Sequence, residues 1–71
     1  MSVEGLETGT VASFAEAAGL GEIVTADGRL FPFQCIEIAD GSRTIEVGVR
    51  VAFLVRSRLG RREASAVTAV A

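Results

Sequence analysis

The chain has 71 residues, 49% hydrophobic and 23% charged, with a formal net charge of -2. That is one small domain with enough apolar material for a core, and too little net charge for a disordered chain. Histidine and lysine are absent and cysteine occurs once, at Cys35, so an imidazole base, Schiff-base chemistry, an internal disulfide and a multi-cysteine metal site are all excluded.

In chain order, residues 9–14 read as a first strand, with β-formers at Thr10, Val11 and Phe14. Ala15-Glu16-Ala17-Ala18 favours helix but is too short to nucleate one, and Gly19 closes it. Residues 19–25 form a second strand entered through Gly19 and Gly21. Asp27-Gly28 marks a tight hairpin. Residues 30–36 form a third strand, in which Pro32 requires an edge or a bulge. A loop follows at residues 39–42, and residues 43–48 lead into the clearest strand. There Val49, Val51, Phe53 and Val55 alternate with Arg50, Ala52, Leu54 and Arg56, a period of two with one apolar face. Residues 57–61 read as a basic turn, and residues 62–70 as a last strand rich in Ala and Val. Five short strands with glycine turns point to a small β-barrel.

No apolar run reaches the roughly 18 residues of a membrane span. The N-terminus lacks the basic start and apolar stretch of a signal peptide. The expectation is a cytoplasmic, non-catalytic protein with no membrane contact and no metal or other cofactor. Charge is uneven along the chain. Residues 1–40 hold seven acids and one Arg, and residues 41–71 hold six Arg and two acids. Arg56, Arg58, Arg61 and Arg62 form a basic edge suited to phosphates, or simply a solvated turn.

The order Gly9-x-Val11-x-x-Phe14, Gly19-x-Gly21-x-Ile23, Asp27-Gly28, Leu30-Phe31 resembles a bacterial cold-shock domain. So does Thr44-Ile45-x-x-Gly48-x-x-Val51-x-Phe53, followed by a glycine-containing turn and an Ala-rich strand. The resemblance spans residues 9 to 70. It implies an all-β fold, a small five-stranded antiparallel Greek-key OB-fold barrel over residues 9–71, with residues 1–8 as an N-terminal extension. It also implies that strands two and three present a surface for single-stranded RNA or DNA.

The sequence departs from the family at the ligand positions. Family members carry Trp-Phe where this chain has Ser13-Phe14. Their first nucleic-acid motif reads Lys-Gly-Phe-Gly-Phe-Ile, against Ala18-Gly19-Leu20-Gly21-Glu22-Ile23 here. Their second reads Phe-Val-His-Phe, against Pro32-Phe33-Gln34-Cys35. Phe31 and Phe33 share parity. With Phe33 inward both are core, the favoured register in a chain without Trp or Tyr; a slip by one residue puts both on the ligand face. The candidate nucleic-acid contacts are Phe14, Leu20, Gln34, Arg56, Arg58 and Arg61. Phe14 reads equally as a platform ring or a rim residue. Cys35 reads as a small half-buried apolar residue, and Leu20 with Ile36 or Cys35 as isolated side chains or an apolar patch.

Vacating four stacking positions removes about 4–12 kcal/mol at about 1–3 kcal/mol each. Two expectations follow. One is weak, Arg-led binding of single-stranded RNA or DNA. The other is a protein-interaction or self-associating module, with a protein partner or a second copy as ligand.

Overall fold

The structure, a computed structural model, describes residues 2–70. It is all-β: β1 (Ser2–Ala15), β2 (Leu20–Val24), β3 (Leu30–Gln34), β4 (Arg50–Arg58) and β5 (Arg61–Ala69). A 3-10 turn, Cys35–Glu37, follows β3. The strands form one antiparallel sheet in the order β3-β2-β1-β4-β5. Among the described residues no helix is long and apolar enough to cross a membrane.

β1 is the strand that organises the rest. Its first part pairs with β4, from Ser2↔Ser57 to Thr10↔Arg50. Its second part pairs with β2, from Thr10↔Val24 to Ala15↔Leu20. Thr10 therefore belongs to both ladders. Beside it, Gly9 gives the close approach this crossing needs. A Cβ at Gly9 would lie 2.6 Å from Ile23 Cγ2 and 2.6 Å from the Val24 carbonyl oxygen. The register shifts between Val11 and Ser13. That bulge reverses the parity of the strand, so Val11 and Phe14 point inward while Ser13 points out.

β1 corrects two expectations. The strand expected at 9–14 starts at Ser2, and residues 2–8, expected as an extension, pair with β4 within the sheet. Gly5 and Gly9 interrupt any alternation there, and Leu6 is 71% exposed, so the segment carries no period-two signature of its own. Its partner strand holds it in place.

The β2–β3 hairpin closes through Thr25, whose N–H donates to Arg29 O at 2.9 Å, while Gly28 N–H donates to Thr25 O at 3.0 Å. Gly28 has φ +88°, so the Asp-Gly pair sits in a loop of residues 26–28 and not in a two-residue turn. Thr25 Oγ1 hydrogen-bonds Asp27 Oδ1. Arg29 ion-pairs with Asp27 at 2.9 Å and with Glu7 of β1 at 3.2 Å. The same guanidinium lies 5.5 Å above the Phe31 ring.

The third strand ends at Gln34, two residues short of its expected end, because the chain turns toward β5. Ser65 donates its hydroxyl to Glu37 Oε1 at 2.8 Å. Ile38 then bridges Val67 in parallel, and Ala39 N–H donates to Val67 O at 2.8 Å. Residues 43–48, expected to lead β4, are irregular; Gly48 N–H donates to Val11 O at 2.9 Å, and Val11 N–H to Val49 O at 2.9 Å. The backbone groups that could have extended β4 instead satisfy the bulged part of β1. The basic turn expected at 57–61 contracts to Leu59-Gly60, since Arg58 and Arg61 are already paired. Pro32 lies on β3, the end strand in the sheet order, as its missing N–H requires.

The core gathers Val11, Ile23, Phe31, Phe33, Ile38, Val51, Phe53, Val55, Ala64 and Val67. Val51, Phe53 and Val55 of β4 supply the apolar face read from their alternation. Phe31 packs against Phe53 with ring centroids 5.3 Å apart.

Candidate nucleic-acid interface

Cross-strand rows on β1–β3 sort side chains to the two faces of the sheet. Inward rows run Val11–Ile23–Phe31 and Phe14–Gly21–Phe33; outward rows run Ser13–Glu22–Pro32 and Ala15–Leu20–Gln34. Gly21 decides the second inward row. A Cβ there would meet Phe33 Cζ at 2.6 Å and the Ser13 carbonyl oxygen at 2.7 Å. With only hydrogen at that position, Phe14 and Phe33 stack at 6.0 Å with planes 11° apart.

The outward rows form a groove of about 420 Å³ whose walls are Ser13, Leu20, Glu22, Pro32 and Gln34, with Arg61 and Glu63 of β5 on the far side. It is a surface of small, apolar and amide groups. Two carboxylates, Glu22 and Glu63, stand against one guanidinium, Arg61. No aromatic ring lies on the groove's outer walls; Phe33 is 2% exposed and forms part of the floor.

The expected contacts divide accordingly. Leu20, 53% exposed, and Gln34 lie in the groove, and Arg61 joins them there. Phe14 does not: it is half-buried on the core side, stacked on Phe33, because the bulge turned it inward. Phe31 and Phe33 are core residues at 3% and 2% exposure. Arg56 and Arg58 lie outside the groove and line a smaller recess with Glu37, Glu63 and Ser65. The basic edge is thus split by Glu63, which borders both hollows. Cys35 is half-buried against the core and Ile36 is exposed.

Glu63 is the residue that sequence reasoning missed. It shares parity with Arg61, but nothing local shows that β5 comes up beside β3. That approach depends on the Glu37–Ser65 hydrogen bond and the Ile38–Val67 bridge.

Two aspartates have carboxyls held below the usual 3.8. At Asp27 the Thr25 hydroxyl is the largest cause and Arg29 the next. At Asp40 the largest is the Ser42 backbone N–H, at 2.9 Å. Both lie away from the groove. Among the described residues no group of three or more Cys, Asp or Glu side chains is placed to hold a metal ion.

A scan of protein-family models gives no match to this chain, and no curated protein matches it.

Proposed function

We propose that the chain is a divergent cold-shock-like OB barrel of the cytoplasm, non-catalytic, whose β1–β3 groove takes single-stranded RNA or DNA weakly. The barrel reading is supported by the long β1 shared between two ladders and by the bridge that draws Ile38 and Val67 together. The observation that carries the functional reading is the groove itself, set on the outer face of β1–β3 with Arg61 at its side. Leu20 and Pro32 offer apolar contact to bases, Gln34 offers donors and an acceptor to a base edge, and Arg61 pairs with a phosphate. With all four phenylalanines inward or half-buried, the stacking energy of an aromatic platform is missing, and Glu22 and Glu63 repel the backbone. Binding is therefore weak, and with one guanidinium at the groove its salt slope is shallow, about -0.7 for the single phosphate held.

Fluorescence anisotropy with labelled oligo-dT and a mixed-sequence RNA tests this at low and high salt. Binding at low salt that is weakened by Arg61→Ala and strengthened by Glu22→Gln supports the groove. Loss of a phosphate contact lowers the salt slope by about 0.7.

A second reading has one specific observation behind it: the groove pairs apolar Leu20 with two carboxylates, a surface also suited to a basic, apolar polypeptide or a second copy. No oligonucleotide binding at low salt, with a dimer mass by light scattering, selects that reading.

A further inference from the structure

Four outward side chains of β2 and β3 form a square. Glu22 stands directly across from Pro32, and Leu20 directly across from Gln34. Leu20 and Glu22 share one face of β2, as Pro32 and Gln34 share one face of β3. One diagonal of the square is therefore apolar, from Leu20 to Pro32, and the other is polar, from Glu22 to Gln34. Diagonal neighbours on paired strands are about 7–8 Å apart, a span that the flat face of one base covers. Gly21, between Leu20 and Glu22, is packed on Phe33, where an added Cβ would come within 2.6 Å of Cζ. The middle strand is thus held in place beneath the square.

The two carboxylates of the groove are not equivalent. Glu63 has Arg56 of β4 as its direct cross-strand partner, an opposite-charge pair. Glu22 lies between Ser13 of β1 and Pro32 of β3, neither of which carries a charge. An ionised carboxylate only accepts hydrogen bonds, so a base set on Leu20 and Pro32 is sorted by the donors it turns toward Glu22. The Watson–Crick edge of guanine has two adjacent donors, N1–H and the N2 amino group, which fit the two carboxylate oxygens. Its other edge has two acceptors, O6 and N7, for the Gln34 amide. Thymine and uracil place a single N–H between two carbonyls, and both carbonyls repel a carboxylate. Adenine and cytosine bring one amino group each and fall between. We infer that the groove selects guanine: Glu22 accepts from N1–H and the N2 amino group, and Gln34 donates to O6 or N7, with the ring laid on Leu20 and Pro32. This rests on the groove reading and deepens it. The resembled family carries an aromatic ring at the Glu22 position, so a base-reading carboxylate there is a departure of this chain. The acid that repels the phosphate backbone is also the group that chooses the base.

Fluorescence anisotropy at one low salt concentration tests this with two short probes, oligo-dT and the same strand with one central guanine. The guanine strand is expected to bind about fivefold to tenfold more tightly, the low end of what one bidentate contact discriminates. Hypoxanthine in place of guanine removes only the N2 amino group and is expected to return most of that gain. Glu22→Gln is expected to move the two probes in opposite directions. Oligo-dT binds more tightly because a repelling charge is lost, and the guanine strand binds more weakly because the two-oxygen acceptor is lost. Glu63→Gln removes a charge outside the square and is expected to tighten both probes. Glu22 is exposed, so Glu22→Gln is expected to leave Tm unchanged.

Glu22→Gln that tightens both probes alike overturns the guanine assignment and leaves the groove reading standing, since the acid then acts on the phosphates alone. Equal affinity of the parent for the two probes does the same. Hypoxanthine bound as tightly as guanine overturns the two-donor contact, and a guanine preference that survives Glu22→Gln overturns the role of Glu22. No binding of either probe by parent or variants at low salt overturns both readings.

Discussion

The two faces of β1–β3 differ in what holds their residues in place. The inner face is set by contact: Phe14, Gly21 and Phe33 fit one another so closely that a single added carbon collides. The outer face carries Ser13, Leu20, Glu22, Pro32 and Gln34, which line open space. A chain with four phenylalanines and no Trp or Tyr has little aromatic volume to fill a core, and it has spent that volume inside. The lesson is that fold and groove surface are separable here. Replacing an outer residue changes what the surface attracts, whereas replacing an inner one changes whether the surface exists.

The largest effect comes from breaking the inner face. Phe33→Ala is expected to cost about 3–5 kcal/mol. That is comparable to the whole net stability of a domain this small, about 3–5 kcal/mol, so urea titration followed by far-UV circular dichroism finds the variant largely unfolded at 25 °C. A variant that stays folded with an undiminished midpoint would show that the stacked ring is not structural.

A smaller effect, of opposite kind, comes from the outer face. Leu20→Phe returns one ring to the groove and is expected to tighten oligo-dT binding by about 1–3 kcal/mol. Its folding stability changes by no more than about 0.5 kcal/mol, as for surface positions generally. Anisotropy and a thermal scan on the same sample read both quantities. If stability falls with no gain in affinity, the separation of the two faces fails.

The smallest effect is electrostatic and lies away from the groove, at Asp27 and Asp40. Asp27 has its folded-state pKa lowered, first by the Thr25 hydroxyl and then by Arg29, and Asp40 is lowered by Ser42. Groups shifted in that direction add stability above the ordinary aspartate pKa of 3.8. They lose it as pH falls through the lower folded value. Thermal scans from about pH 5 to about pH 2 should therefore show Tm falling toward acid. Arg29→Met should make that fall shallower without abolishing it, because Thr25 still donates to Asp27. High salt should reduce the difference between the two proteins, since the ion pairs are exposed.

Much of this architecture was legible in the residues, and the exceptions share one cause. The alternation from Val49 to Arg56 located β4, and Asp27-Gly28 located the first hairpin. Pro32 located an end strand, and the scarcity of aromatic residues placed Phe31 and Phe33 inside. The reach of β1 back to Ser2, the inward turn of Phe14 and the entry of Glu63 into the groove were not legible. Each depends on a partner distant in sequence: β4 for the first, the bulge opposite β2 for the second, and the approach of β5 to β3 for the third. Periodicity reports which residues alternate, but a bulge changes parity without leaving a mark in composition.

Pro32 has a consequence for behaviour at high concentration. An end strand normally offers a row of unsatisfied donors and acceptors on which a neighbouring chain can add a rung. At Pro32 the nitrogen has no hydrogen to give, and the pyrrolidine ring occupies the space an incoming backbone would use. At that position the strand that forms one wall of the groove cannot give a hydrogen-bonded rung to an incoming chain.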